Sequence, residues 1–373
     1  MTKTRLALAL LTLALGLAAI FPVPDRGAPS VSSESGMFAA LIAMQQGRLK
    51  DRPHAGRFKF PQDHGKHAEH PAESWRITGN LRDLTGRRFG LEFAIMRLAL
   101  GKGTSKRASA WATREVYAGR LALSDPARAR FYSDERMSRA ALELAGYQAR
   151  PASLWLEDWR LDFTHSETLA MNLVAAAQDL RIRLTLRSTR EPLAAGVGLV
   201  PRDLVSYLMN RLEVRGKIAI DNEPYEVFGT AMLEHAWGRL PPLGGQLRWE
   251  RLYLNLDDGR DLLVARLQRR DGSGVPVPRG TIIMPDGEQR ALAREHLQVE
   301  TLEEWESPVD GRRYPSRWRI NLPSEGTVLS VEPTMADQEA RGFLRRWAGA
   351  VRIEGRAHQQ PLAGEGYAEL LGW

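Results

Sequence analysis

From Glu73 to the C-terminus, apolar and polar residues alternate with a period of two, in short runs broken by turn residues about every ten positions. Alternation of this kind predicts half-buried strands. The first such runs are Ser74–Leu81, Phe89–Leu98, Val116–Leu123, Leu154–Phe163, Leu180–Leu186 and Leu212–Ile220. Tyr225–Leu233, Leu247–Leu256, Asp261–Gln268, Gly280–Met284 and His296–Glu300 follow. Arg317–Leu322, Thr327–Val331, Ala348–Ile353 and Tyr367–Leu371 complete the set. Hairpin turns are expected at Asp83-Leu84-Thr85-Gly86, Asp257-Asp258-Gly259 and Pro285-Asp286-Gly287, where glycine accepts a positive φ. Helical periodicity is scarce, and only Met37–Lys50, Ser138–Ala145 and Thr334–Trp347 show it. The pattern predicts an all-β chain built as antiparallel barrels or sandwiches.

An internal repeat favours two tandem barrels. Trp75, Asp83, Gly86, Arg87 and Arg97 have counterparts in Trp249, Asp257, Gly259, Arg260 and Arg266. The segments Val214-Arg215-Gly216 to Glu234 and Ile353-Glu354-Gly355 to Glu369 end the two halves alike. Residues 58–228 are therefore assigned to a first barrel and 229–373 to a second, each of a size suited to one small apolar ligand.

The N-terminus reads differently. Lys3 and Arg5 precede an apolar run from Leu6 to Phe21, the layout of an export signal or an uncleaved anchor over residues 1–24. A Pro/Ser/Gly-rich linker and the short helix fill 25–57. A periplasmic or secreted location is expected, either free or held at the inner membrane by that segment. The chain has no Cys, which excludes disulfides, thiolate metal sites and a Cys nucleophile. Its net charge of +7 is spread along the chain without basic runs or nucleic-acid motifs, so no nucleic-acid partner is assigned. P-loop, nucleophile-elbow and dinucleotide patterns are absent, and no cofactor is assigned.

Three stretches carry candidate chemistry. In Tyr225–Gly238 an apolar strand runs into Glu234-His235-Ala236-Trp237-Gly238, with an acid and an indole beside an imidazole. This tip suits either acid/base work by His235 or a packed barrel mouth. If the expected Asp83–Gly86 hairpin forms, Glu73 and Arg97 lie near opposite ends of its paired strands, as a structural strut or as ligand-binding groups. His64, His67 and His70 lie near Asp63, Glu69 and Glu73, but Gly65 and Pro71 predict an extended loop with no common face. No metal is assigned there. Trp159 is expected to line a barrel or fill its core.

Several segments together resemble the CrtC/AttH-like family of carotenoid 1,2-hydratases, their terpenoid-acting relatives and exported proteins encoded beside ABC exporters. They are FPQDHGKHAEHPAESWRITGNL, GLEFAIMRL, LEDWRLDF, FGTAMLEHAWGRL, LYLNLDDGRDLLVARLQRRDGS, SPVDGRRYPSRWRINLP and GEGYAELLG, in chain order. The resemblance covers Phe58 to Trp373. It implies tandem lipocalin-like barrels, an apolar or amphipathic ligand and work alongside a membrane ABC transporter. His235, Trp237 and Gly238 match the family's His-x-Trp-Gly, while Glu73-Ser74-Trp75-Arg76 departs from its Glu-Trp-Trp-Tyr. The hydratase branch implies a Tyr and an acidic Asp on the strand that here reads Leu262 to Leu267, which has neither. An enzyme would then need Glu234 or Asp261 as the acid beside His235. As a binding protein, the chain would line its pocket with Glu73, Trp75, Arg97, Trp159, His235 and Trp237.

Overall fold

The computed structural model describes residues 40–42, 58–100, 113–165, 169–194, 203–240, 247–274 and 276–373. The expected targeting segment, 1–24, lies outside the described residues. Ala40–Ile42 are helical, within the expected Met37–Lys50 helix.

One sheet contains β1 (Ala72–Asp83), β2 (Arg88–Ala99), β3 (Glu115–Asp125), β4 (Arg130–Arg139), β5 (Ala145–Ala149), β6 (Ala152–Leu156), β7 (Trp159–His165), β8 (Leu169–Ala176), β9 (Leu180–Arg187), β10 (Leu193–Ala194), β11 (Leu204–Ile220) and β12 (Glu223–Gly238). A second contains β13 (Leu247–Leu256), β14 (Asp261–Arg269), β15 (Val277–Ile283), β16 (Gln289–Leu292), β17 (Gln298–Glu306), β18 (Arg313–Leu322), β19 (Thr327–Pro333), β20 (Glu339–Ala340), β21 (Arg346–Ala357) and β22 (Gln360–Leu371). The strand paths are β4-β3-β2-β1-β12-β11-β9-β8-β7-β6-β5 and β16-β15-β14-β13-β22-β21-β19-β18-β17. In both, the opening strand lies between its hairpin partner and the closing strand. The repeat seen in the sequence is this shared order, and the fold is the expected tandem pair of lipocalin-like antiparallel barrels.

Each sheet curls onto itself. In the first, Arg136 of β4 donates to the Ala176 carbonyl at the end of β8 (2.6 Å), and a Cβ on Gly119 of β3 would meet Leu156 of β6 at 2.5 Å. In the second, Arg266 of β14 reaches across to the Val299 carbonyl (3.2 Å) and Thr301 Oγ1 (2.7 Å) of β17. Apolar side chains of one parity fill each interior, Trp75, Phe93, Leu121, Leu184 and Tyr207 in the first and Leu252, Val264, Trp318, Ile320 and Leu370 in the second. The three expected hairpin turns are present, with Gly86, Gly259 and Gly287 at φ +87°, +90° and +91°.

Four expectations change. Ser138–Ala145 is not helical: it ends β4, turns through Leu142 and Glu143 at positive φ and enters β5. Thr334–Trp347 folds as bends and short strand pairing, because Trp347 is drawn into the second barrel's core. The run Leu154–Phe163 is broken at Glu157, φ +57°, into β6 and β7. The boundary at 228/229 falls inside β12, which pairs with β1 and β11 along its length, so the sheets divide after Gly238.

The barrels lie back to back. Asn80 of β1 donates to the Gly366 carbonyl of β22 (3.0 Å), and Arg82 pairs with Glu365 (2.8 Å). Asp261 joins β14 to β11: its buried carboxylate accepts from Arg211 Nε (2.7 Å), Asn210 Nδ2 and, within the second sheet, Asn255 Nδ2 (2.8 Å). Removing a buried acceptor leaves its donors unpaired. Asp261→Ala is therefore predicted to destabilise the protein by about 3 kcal/mol in urea unfolding. An unchanged midpoint would show that this junction contributes nothing.

Candidate functional site

β1 and β12 pair in register across twelve positions, from Ala72 opposite Gly238 to Asp83 opposite Val227. Because strand side chains alternate, the Glu234–Gly238 tip divides between two places. His235 and Trp237 point into the first barrel with Glu73 and Trp75. Glu234 and Ala236 point the other way, with Ser74 and Arg76, into the space between the barrels.

The inner set is a buried hydrogen-bond chain. His64 Nδ1 lies 2.7 Å from Tyr207 Oη, which lies 3.2 Å from His235 Nδ1; His235 Nε2 lies 3.0 Å from Glu73 Oε1. One proton assignment satisfies every link: His64 donates to Tyr207, Tyr207 to His235 and His235 to Glu73. His67 Nδ1 also reaches Glu73 Oε1 (2.8 Å), and the His67 ring stacks on Trp237 at 3.7 Å. Arg97 donates to Glu73 Oε2 (3.3 Å), to Glu115 (3.1 Å) and to the His67 and His70 carbonyls (2.8 Å each).

Electrostatics follow from this crowding. Burial opposes charge on Glu73, but hydrogen bonds from His235 and His67 and the Arg97 charge overcome it, lowering its pKa to about 2. Burial dominates at His235 and lowers its pKa despite Glu73. At His67, burial is outweighed by Glu73 and Asp63, and the pKa rises. His67, Glu73 and His235 offer three ligand atoms within 4.8 Å of one another, a spacing that fits a metal ion, but Glu73 already serves both imidazoles and Arg97.

The outer set faces a cavity of about 210 Å³ between the sheets. Ile42, Ala94, Met96, Trp249, Phe343 and Leu371 form its apolar wall. Its polar wall is a network of ion pairs. Arg76 binds Glu92 (2.8 Å) and Glu369 (3.3 Å), and Arg251 binds Glu234 (2.9 Å) and Glu369 (2.6 Å). Arg346 joins Glu369 (2.7 Å) and Glu92, and Arg120 pairs with Glu135. Burial opposes charge on Glu92 and Glu369, yet the arginines prevail and lower both pKa values. Burial and the neighbouring Arg346 bring Arg120 down to about 9.

The sequence-predicted residues thus separate. Glu73, Trp75, Arg97, His235 and Trp237 come together, but Glu73, Trp75, Arg97 and His235 are at most 1% exposed and Trp237 is 6%. They make up a packed barrel end and line no described pocket. Trp159 is buried elsewhere, beside Phe93 and under the Arg136 guanidinium. Asp261 belongs to the junction with β11 and has no contact with His235. Glu234 alone of the proposed acids lines the cavity. Trp249, matched to Trp75 in the repeat, faces the cavity while Trp75 faces the core; the inward counterpart of the Glu73–Arg97 pair is Glu250 opposite Arg266 (2.7 Å). A one-residue offset reverses the face. Arg76, Arg120, Arg251, Arg346 and Glu369 were missed as site residues. Their signal is charge embedded among small apolar residues of the outer parity, such as Ala94, Ala118 and Ala236.

Comparisons with known proteins agree with this architecture. Residues 51–373 match a family model described as AttH-like. A Nitrosomonas europaea protein assigned to AttH is similar in structure, with TM-score 0.72 and 25% identity over 87% of this chain and 99% of that one. Kievitone hydratase from Nectria haematococca aligns at TM-score 0.62 and 11% identity, covering 87% and 95% of the two chains. CghA aligns at TM-score 0.53 and 14% identity over the same shares. The last two likenesses are of fold alone. No curated protein matches the chain in sequence.

Glu73→Gln is predicted to cost about 3 kcal/mol at neutral pH, because Arg97 keeps only Glu115 as a carboxylate partner and His67 and His235 lose an ionised acceptor. Glu73 has a depressed pKa, so its contribution is present above its ordinary value of 4.5 and lost as pH falls toward 2. The gap between wild type and variant, read by urea unfolding at a series of pH values, should therefore narrow below pH 4.5. A gap independent of pH would contradict the assigned ionisation.

Proposed function

The chain belongs to the AttH-like family, and from that premise we propose that it is an exported binding protein that holds an apolar or amphipathic, lipid-like ligand between its two barrels. The observation that carries this reading is the cavity itself. Its apolar wall draws residues from both sheets, and its glutamates are all engaged by arginine. Apolar surface of this kind favours a hydrocarbon body. Arg76 Nη2, Arg120 Nη1 and Arg346 Nε are buried without a hydrogen-bond partner among the described residues, which suits an acceptor group at one end of the ligand. A periplasmic or secreted location and work with a membrane ABC transporter belong to the same proposal; the apolar run from Leu6 to Phe21 behind Lys3 and Arg5 supports the first.

A hydratase or cyclase reading has one observation in its favour, the His64–Tyr207–His235–Glu73 chain, together with the fold shared with kievitone hydratase and CghA. Protonating an alkene needs a protonated acid facing the substrate. Glu73 has its pKa lowered and His235 is fully enclosed. In the cavity wall, Glu369 is likewise lowered and Glu234 is tied to Arg251, and Glu92, behind the wall, is lowered too. The described residues therefore favour binding.

Native mass spectrometry of gently purified full chain should detect a bound lipid-like molecule. Ala94→Trp, which fills the cavity, should reduce its occupancy about tenfold or more. An empty wild-type protein would overturn the proposal, and equal occupancy in the variant would remove the cavity as the site. Addition of water to members of a terpenoid panel would favour the enzyme reading instead.

A further inference from the structure

The outer face of β13–β15 carries an apolar row that leaves the cavity and continues into solvent. Leu371 of β22 lies directly opposite Trp249 of β13, Trp249 opposite Leu267 of β14, and Leu267 opposite Val277 of β15. Directly opposite residues share a face of a sheet. Leu371 and Trp249 line the cavity. Leu267 and Val277, by contrast, are 46% and 39% exposed. Leu247, two residues before Trp249 and so on the same face, is 49% exposed. Large apolar side chains that cluster in solvent at a cavity rim mark a surface that meets something apolar.

The neighbours of this row are basic. Arg269 lies opposite Leu247, and Arg279 follows Val277 by two residues on the same face. Both are exposed and form no ion pair among the described residues; Arg270 beside them is exposed too. Asp271, at the tip of the β14–β15 hairpin, accepts from the Ser273 backbone N–H (2.8 Å) and also lies within electrostatic reach of Arg269, leaving Arg270 and Arg279 to carry the excess of positive charge. An apolar centre with an arginine rim is the surface that an anionic bilayer complements: the leucines and valine enter the interface while guanidinium groups meet phosphates.

We propose that this face, centred on Leu247, Leu267 and Val277 with Arg269 and Arg279 around it, docks on an anionic lipid surface and brings the cavity rim against the bilayer. The proposal rests on the ligand-binding reading above. It adds the source from which a lipid-like ligand enters, along the row from Val277 to Leu371. A membrane is favoured over a protein partner because the patch joins exposed arginines to an apolar row continuous with the apolar wall of the cavity.

The test is co-sedimentation of the full chain with vesicles of phosphatidylglycerol and phosphatidylcholine, compared with phosphatidylcholine alone. Binding should be about tenfold stronger to the anionic vesicles and should weaken as salt rises. The double variant Leu267→Asp with Val277→Asp should lose about tenfold in vesicle binding, and Arg269→Glu with Arg279→Glu should lose the preference for anionic lipid. All four positions are exposed, so folding should survive, which an unchanged urea-unfolding midpoint of each variant checks. Wild-type protein that ignores anionic vesicles, or variants that bind as wild type does, would overturn the proposal. So would sedimentation only with vesicles carrying reconstituted inner-membrane protein, which would place a protein on this face. Vesicle binding by an empty chain would uphold the docking face and remove the ligand-binding reading; an occupied cavity without vesicle binding would do the reverse.

Discussion

A strand buried on both faces has to satisfy two interiors at once, and β1 and β12 are such strands. One parity supplies the core of the first barrel and the other supplies the seam against the second. Each side contains charge out of bulk water, so each needs its own compensation. Inside, Glu73 is held by Arg97, His67 and His235. Outside, Arg76, Arg251 and Arg346 share Glu92, Glu234 and Glu369. The cavity exists because this network is arranged around small side chains, such as Ala94 and Ala118, that cannot fill the space between two curved sheets.

Much of the fold is legible in the sequence. Period-two runs mark the strands, and Asp/Gly turns mark the hairpins. Leu247–Leu256 is read at its observed ends, whereas β11 and β12 extend well beyond Leu212–Ile220 and Tyr225–Leu233. Those long strands lose the polar half of their pattern where their outer face is covered by the second barrel. The same loss hides the site. His235 and Glu234 are neighbours in sequence and opposite in space, so a motif read as one tip is a core element joined to a seam element. Trp75 and Trp249 fail as a pair for the same reason, since their parities differ relative to the cores. The two misread helices lie where chain-local pattern is weakest. Positive φ at Leu142 and Glu143, and the burial of Trp347, are products of tertiary packing.

The inner histidine chain and the outer cavity divide the labour that the sequence motif suggested for one site. The inner chain has matched donors and acceptors and is buried, which suits a rigid end to the barrel. The cavity has an apolar wall, and three of its arginines carry buried nitrogens without a hydrogen-bond partner among the described residues. On the proposed binding reading, ligand contact falls at the seam and not in the barrel interior.

The most direct measurement is photo-crosslinking of the full chain with a diazirine-bearing fatty acid, followed by peptide mapping of the adducts. Ligand seated between the barrels labels the β2 and β13 walls and the Phe343 segment, at Met96, Trp249 and Phe343. Labelling confined to Tyr207, His235 and Trp237 would place the ligand inside the first barrel and contradict the account.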